Sequence, residues 1–447
     1  MRTILASSGQ GFGTYQKARV AAPRPLFFLT ALTLFLLLGV SSMVLTRFGI
    51  HYDLQGGTPL EKIHPAHFLA MAVLLILWLS HTRPIEFVDQ LFSHHKGTMI
   101  FLVSWCLLLF QIVIVQHKPF TPIIDTFIMP VVMLFVLTSM DECGRLRLAR
   151  LLHFLMFVNA LLALSEFALG FRLTPLDAGG VIIEGDWRSS ALLGHPLTNA
   201  LMTGCYLIVL SLGGGRDLPW ILRPVVFGLS LLAMNAFGGR MALVTLLGFL
   251  AVVYGMKMIA PLNGGASSRR NWLMVVLLVP LGISAVVIGF EIGLFDQLLE
   301  RFVNDNGSAS ARVYMFEVFR DLTWLDIMTG PDQYYVASLL RAQGVNFGIE
   351  SFWVAFILSY GLLVSTVFFF GLFAFLYDLA QASRMGALWP ILYFFTVCST
   401  SVSLSAKGTD LAILVVMILL LMPKKSTVAA RVSAPHFSNN KMKGVLS

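Results

Sequence analysis

The sequence predicts an all-α polytopic membrane protein, with about twelve transmembrane helices and one large helical loop late in the chain. The 447 residues are 57% hydrophobic and only 12% charged, and their mean hydropathy is +0.81. A soluble domain is roughly 45–50% apolar and about 25% charged. Apolar runs close to the length that crosses a bilayer recur from Pro25 to Met422. These observations exclude a soluble enzyme and leave no room for a large catalytic domain outside the membrane.

The apolar runs divide the chain into five parts. Residues 1–24 form an N-terminal tail, 25–292 a membrane bundle of about nine helices, 293–349 a long polar loop, 350–422 a membrane bundle of about three helices, and 423–447 a C-terminal tail. The first run follows 24 residues and is long enough to span, so we expect it to stay as a helix and not to be cleaved as a signal peptide. The expected helices cover 25–46, 65–81, 98–116, 123–140, 148–170, 190–212, 219–236, 240–258, 272–292, 350–378, 387–404 and 409–422.

Basic residues predict the orientation of these helices. With the N-terminus in the cytoplasm, the inner tails and connections hold 20 of the 31 Lys and Arg. Three of them, Arg145, Arg147 and Arg150, share one short connection, which is the excess that the positive-inside rule uses. We therefore expect both termini in the cytoplasm. Topology then explains the net charge of +8, and nucleic acid is not expected as a partner.

The long polar segments, 171–189 and 293–349, fall on the outer side in this orientation. Long polar insertions on one face of so apolar a chain are the best candidates for a functional site. In the larger segment, Phe295 to Val303 show the spacing of an amphipathic helix. A second helix is expected from Ala311 to about Met328, with Gly330-Pro331 ending it.

The first candidate cluster is Arg188 followed by Gly194-His195-Pro196. Proline inside the helix expected at 190–212 would free a backbone carbonyl, which a membrane tolerates only where protein or water satisfies it. A helix broken there, with a histidine at the break, is typical of a pocket wall. The alternative is a simple kink, in which His195 caps a carbonyl and Arg188 extends to lipid phosphate.

The second cluster is Gly238-Gly239-Arg240, at the start of the helix expected at 240–258. The two glycines allow another backbone or a ligand to approach closely. A guanidinium at this position suits a phosphate, because it stays charged and offers paired donors. The alternative is an interfacial anchor at the end of a helix.

Two further clusters involve the large loop. Ser308 or Ser310 can cap the second loop helix, and Arg312 would complete an anion site at its N-terminus, although capping alone explains the serines. Glu350 opens the helix expected at 350–378, where the helix dipole favours a carboxylate whether or not it reacts. An acid facing several arginines is also a candidate base.

Other polar residues are assigned supporting roles. Glu166, Glu291 and Asp410 are expected to be structural partners of the arginines, and Lys407 is expected to be an interfacial anchor or a further phosphate contact. The four cysteines stand alone, without the spacing of a disulfide framework or a metal site. No metal and no cofactor are expected.

These four clusters, in this order, resemble the O-antigen ligase and O-antigen polymerase superfamily of bacterial polysaccharide assembly. The resemblance covers roughly 180–370 of the chain, and its members carry a large periplasmic loop. In the ligase branch a histidine begins the last motif, whereas Glu350 stands at that position here. Ser351 and Gly361 match the motif, and Val364 replaces its final glycine. This difference favours the polymerase branch.

The resemblance implies a metal-independent glycosyltransferase of the bacterial inner membrane, which joins repeat units carried on undecaprenyl pyrophosphate at the periplasmic face. Its partners would be the lipid-linked oligosaccharide, the bilayer, a flippase and a chain-length regulator. Arg188, Arg240 and Arg312 would bind the pyrophosphate, Glu350 would be the base and His195 would orient one of these groups.

Three aromatic residues of the large loop are candidates for sugar binding, and two alternative functions stay open. Trp324, Tyr334 and Tyr335 would stack on sugar rings, or else pack the loop helices onto the bundle. The alternative functions are an O-antigen ligase-type transferase and a transporter or flippase for an anionic or lipid-linked sugar. The spans carry few charges near mid-depth, where transport sites usually lie, and this disfavours the transporter.

Overall fold

The structure, a computed structural model, describes residues 24–54, 56–175, 177–178, 181–182, 187–259, 291, 314–343 and 349–424. Within these residues the protein is a bundle of α-helices, with one short antiparallel hairpin, β1 (Asp177–Ala178) and β2 (Val181–Ile182). The helices are α1 (Arg24–Gly39), α2 (Ser42–Arg47), α3 (Pro65–Leu79), α4 (Pro84–His94), α5 (Lys96–Phe110), α6 (Thr121–Ser139), α7 (Glu142–Leu169), α8 (Pro196–Val209), α9 (Leu222–Phe237), α10 (Arg240–Ile259), α11 (Trp324–Thr329), α12 (Gln333–Ala342), α13 (Phe352–Tyr360), α14 (Leu362–Ala382), α15 (Leu388–Cys398) and α16 (Asp410–Leu421). π-Helical turns extend α5 over Gln111–Val115 and α8 over Leu210–Gly214.

Several of these helices have the length and composition to cross a membrane. In the described part of the chain they number five, Lys96–Val115, Thr121–Ser139, Glu142–Leu169, Pro196–Gly214 and Leu362–Ala382. A sixth is added if α3 and α4, bent by 119° at their junction, form one broken span. Shorter apolar helices, α1, α9, α10, α15 and α16 among them, pack with these. The predicted all-α class and membrane character are confirmed, while the total of about twelve spans stays a prediction.

Each predicted apolar run that lies within the described residues contains a helix, but the run at 350–378 is not one helix. Gly361 has φ +83° and divides it into α13 and α14. Ring pairs Phe352–Phe369, at 5.8 Å, and Phe356–Phe368, at 5.2 Å, show that the two helices pack side by side and antiparallel. The prediction of one continuous helix is therefore wrong. The chain makes a tight helical hairpin at Gly361.

The predicted helix at 190–212 also begins elsewhere. Its first helical residue is Pro196, because proline is accepted at the first helical position, where its missing N–H is not needed. Residues 187–195 form a non-helical segment before it. The prediction of a proline break inside a helix is thus wrong, and His195 is the N-cap residue instead.

The loop region differs from expectation as well. The helix predicted from Ala311 to about Met328 is broken: a 3₁₀ turn covers Val318–Asp321, and Thr323 starts α11 with a capping box closed by Asp326. Gly330 ends α11, as predicted. Apart from residue 291, the helix predicted at 272–292 lies outside the described residues, as do the helix predicted at Phe295 to Val303 and Ser308, Ser310 and Arg312.

Buried helices at the centre of the bundle fix its two ends. Every residue of α16 is buried, and α16 packs against α6, α7 and α8. Helices α8, α10 and α16 all begin at one end, which we call the His195 end. The extended α8, α14 and α16 finish at the opposite end, which we call the Arg384 end. Among the described residues, the clusters predicted around Arg188, Arg240 and Glu350 lie at the His195 end.

Candidate functional site

A buried carboxylate organises the segment that carries Arg188. Glu166, in the last turn of α7, is fully buried. Its Oε2 accepts hydrogen bonds from Ser189 Oγ at 2.6 Å and from the backbone amides of Ser190 and Ala191 at 2.9 and 3.1 Å. Its Oε1 accepts from the amide of Leu173 at 2.8 Å. Four donors on one carboxylate hold the segment rigidly, and they satisfy the charge that burial would otherwise penalise.

Residues of neighbouring elements also hold this segment through hydrogen bonds. The Ser189 amide donates to the carbonyl of Ala236 at the end of α9, and Arg172 Nε donates to the carbonyl of Arg188, at 2.9 Å each. Asn199 in α8 donates through Nδ2 to the carbonyls of Ser190 and His195. The Glu166 carboxylate thus holds the backbone of this segment, and it also interacts electrostatically with Arg172. Asp410, another of the three acids expected to be structural partners, accepts from Thr198 Oγ1 at 3.5 Å.

The glycine turn before Arg240 brings that residue beside α8. Gly238 ends α9 in the left-handed conformation, with φ +62°. Gly239 packs so closely that a Cβ atom there would lie 2.6 Å from Cβ of Ala200. The space left by this glycine is thus taken by another helix, not by a ligand. Arg240 follows as the first residue of α10, next to the start of α8.

The α13–α14 hairpin brings Glu350 into the same region. Trp353 Nε1 donates to Ser399 Oγ at 2.8 Å, and its ring stacks on Phe373 at 6.0 Å. Since α13 has nine residues, its start lies roughly 14 Å below the Gly361 turn at 1.5 Å per residue. Glu350, which just precedes this start, is half-buried. It therefore lies within the bundle and not at its outer rim.

Arg188 lies within electrostatic range of both Arg240 and Glu350. Burial lowers the pKa of the Arg188 guanidinium, the positive charge of Arg240 lowers it further, and the carboxylate of Glu350 opposes both. Arg188 remains protonated, because its ordinary pKa is far above neutrality. Three residues predicted from separate sequence motifs, Arg188, Arg240 and Glu350, thus form one electrostatic cluster.

His195 borders this cluster as a neutral hydrogen-bond donor. Its side chain is accessible to solvent, yet the surrounding protein and then the charge of Arg188 lower its pKa to about 4. We call the space beside His195, Arg188, Arg240 and Glu350 the recess. The amide of Leu197 donates to Nδ1 at 3.3 Å, so in the neutral ring the proton is on Nε2. His195 caps α8 and presents an N–H to the recess.

Together these groups can bind an anion and move a proton. Two guanidiniums beside an imidazole N–H supply charge and directed donors for phosphate oxygens. A carboxylate at the same place can accept a proton from a hydroxyl group. Helices that start inside the bundle, and a non-helical segment beside them, are tolerated in a membrane protein where they line a cavity.

The other predicted site residues belong to the large loop, 293–349. Arg312 lies outside the described residues. Trp324 is the first residue of α11 and is 70% exposed, and Tyr334 in α12 is 89% exposed. Tyr335 is less exposed, and its hydroxyl donates to the carbonyl of Asp321 at 3.3 Å. The two most exposed rings are available for stacking, whereas Tyr335 joins α12 to the preceding 3₁₀ turn.

A second polar cluster at this end was missed from the sequence. Asp125 is fully buried in α6 and accepts from Tyr52 Oη at 2.9 Å, from the His64 amide at 2.8 Å, and is 2.8 Å from His67 Nδ1. Two signals were present: an aspartate inside an apolar run, and histidines three residues apart at a helix start. Neither predicts contact, because the partners come from three separated segments.

Lys407 completes this second cluster. Its Nζ donates to the carbonyl of Tyr52 at 2.6 Å, lies 3.2 Å from the centre of the Tyr52 ring and 3.9 Å from Asp53 Oδ1. Burial lowers the pKa of Lys407 to about 8, although Asp53 and Asp125 oppose that shift. Lys407 therefore joins the α15–α16 connection to the segment before α3, a role that neither expected alternative describes.

The chain matches no protein-family model, no curated protein and no solved structure. Function is therefore inferred from the chemistry of the residues in the recess.

Proposed function

We propose that this chain is a polysaccharide polymerase of the bacterial inner membrane. It joins oligosaccharide repeat units carried on undecaprenyl pyrophosphate, at the periplasmic face, without metal or cofactor. The proposal includes about twelve spans, a periplasmic loop at 293–349 and both termini in the cytoplasm. The single observation that carries it is the cluster of Arg188, Arg240 and Glu350 beside His195.

The chemistry of transfer from a lipid pyrophosphate requires these groups. The bond between the anomeric carbon and the phosphate oxygen breaks, and the pyrophosphate leaves with its negative charge. Fixed cations stabilise that charge as it develops. Arg188 and Arg240 take this role, with Arg312 as a third cation, and His195 donates its Nε2 proton in a hydrogen bond to a phosphate oxygen.

Glu350 serves as the general base. The attacking sugar hydroxyl forms the new glycosidic bond and gives its proton to the carboxylate. Glu350 is half-buried and interacts electrostatically with Arg188, which supports a base close to the pyrophosphate that the arginines would bind. Exposed Trp324 and Tyr334 provide ring surfaces for the polysaccharide, with Tyr335 beside them.

A deletion strain tests this function. Loss of a polymerase leaves single lipid-linked repeat units, so these should accumulate and long polymer should disappear. The wild-type gene should restore polymer, and the Glu350→Gln variant should not, at equal protein level in the membrane. Accumulation of finished polymer on the lipid carrier would instead identify a ligase, and absence of any lipid-linked intermediate on the periplasmic side would identify a flippase.

A further inference from the structure

A basic cleft lies at the Arg384 end, away from the recess. It has a volume of about 460 Å³ and is lined by Arg216, Ala380, Gln381, Ser383, Arg384, Met385 and Lys424. Pockets that bind small ligands are commonly about 300–1,000 Å³. Three of the seven lining residues are cations, and none is an acid.

The three cations follow directly on apolar helices. Arg216 comes two residues after the extended α8, Arg384 two residues after α14, and Lys424 three residues after α16. Helices that cross the hydrocarbon end at the depth of the lipid headgroups. The cleft therefore opens at headgroup level.

Hydrogen bonds to backbone carbonyls use only some of the donors on these cations. Arg384 Nε donates to the carbonyl of Pro423 at 3.1 Å, and Lys424 Nζ donates to that of Gln381 at 3.5 Å. Each leaves further donors, since a guanidinium has five and an ammonium three. The exposed Arg216 side chain makes no hydrogen bond or ion pair with the other described residues.

The surroundings keep the cleft positive. Asp217, half-buried beside it, interacts electrostatically with Arg150, Arg223 and Arg384. One carboxylate is thus shared among several cations, and the charge of Arg216 and Lys424 is left in excess. Clusters of cations at this depth attract anionic lipid.

We propose that this cleft binds a phosphate group, supplied by the headgroup of an anionic phospholipid such as phosphatidylglycerol. Arg216 and Arg384 hold the phosphate oxygens and Lys424 adds charge. Bound lipid bridges the ends of α8, α14 and α16, and so stabilises the bundle at the end opposite to the recess. The proposal is independent of the proposed enzymatic function.

Thermal unfolding of the purified, delipidated full chain tests the proposal. Phosphatidylglycerol should raise Tm in a saturable way, and phosphatidylcholine should not. For the double variant Arg216→Gln with Arg384→Gln, the apparent affinity for phosphatidylglycerol should fall about tenfold or more, since hydrogen bonds to charged groups are lost. Arg147→Gln is the matched control, because exposed Arg147 lies in the first turns of α7, outside the cleft.

A single variant and a comparison with inorganic phosphate complete the test of the proposed lipid site. Arg216→Gln alone removes a side chain that makes no hydrogen bond or ion pair within the described part of the chain, so this variant should fold normally and still weaken binding. Inorganic phosphate that protects as well as the lipid would overturn the lipid as the source. Equal Tm shifts with both lipids, or equal weakening by Arg147→Gln, would overturn the proposed site altogether.

Discussion

The backbone around Arg188 is held in place by hydrogen bonds. Glu166 binds the two residues that follow it, Arg172 binds its carbonyl, and α9 binds the next amide. The point at which the Arg188 side chain leaves the backbone is therefore fixed, and this limits the directions that its guanidinium can take. We expect such positioning where a ligand must meet paired donors in a set geometry.

Replacement of Arg188 by lysine tests this role. Lysine keeps the charge and loses the paired donors, which should cost about 1.5–3 kcal/mol, the range for hydrogen bonds to charged groups. Polymer formation should fall about tenfold or more. Arg47→Lys, at an exposed arginine ending α2, is the matched control and should change little. Normal polymer from Arg188→Lys would exclude a bidentate contact.

His195 should make stability depend on pH. The pKa of His195 in the folded protein is about 4, below the ordinary value of 6.5. Between these two pH values the unfolded chain binds a proton at His195 and the folded protein does not. Stability should therefore fall as pH drops from about 6.5 towards 4. His195→Gln removes this contribution, so the variant should lose less Tm than the wild type between about pH 7 and pH 5. Equal losses would show that His195 is not held neutral by its surroundings.

Helix ends are where the sequence was least informative. The positions of most helices could be predicted, because each long apolar run must be buried in lipid or protein. Hydropathy does not report backbone direction, so the run at 350–378 gave no sign that Gly361 turns the chain back on itself. Pro196 was misplaced for a related reason: proline fits equally a kink and a first helical residue.

The hairpin at Gly361 predicts an intolerant glycine. Its φ is +83°, and a Cβ atom there would lie 2.5 Å from the backbone nitrogen of Gly330. Gly361→Ala should destabilise the protein by about 2–5 kcal/mol, from left-handed strain and overpacking together. Gly248→Ala is the control, since a Cβ atom at Gly248 would meet open space. Thermal unfolding in detergent compares the two, and equal Tm values would exclude a tight turn at Gly361.

Across the whole molecule, each candidate residue could be predicted from the sequence, but which of these residues lie close together could not. Arg188, His195, Arg240 and Glu350 stood out because charge and histidine are costly in an apolar chain. The Asp125 cluster escaped notice because Tyr52, His67 and Lys407 reach it from distant parts of the sequence. Only the packing of the helices shows which polar residues meet.

The proposed topology can be tested over the full chain. With both termini in the cytoplasm, alkaline phosphatase fused after Asn306 should be active in the periplasm, and a fusion after Ser267 should be inactive. The physical reason is the excess of Lys and Arg in the inner connections. The reverse pattern would place the recess on the cytoplasmic side and remove the periplasmic reaction.

The central claim is that the recess transfers sugar from a lipid pyrophosphate. Reconstitution tests it most directly: purified protein in liposomes is given lipid-linked repeat units extracted from the deletion strain, and products are followed by mass spectrometry. Wild-type protein should release undecaprenyl pyrophosphate and form dimers and longer chains of the unit, with a metal chelator present. Glu350→Gln, inserted to the same level, should release none. Chain growth by Glu350→Gln at the wild-type rate, or no growth by the wild type, would contradict the account.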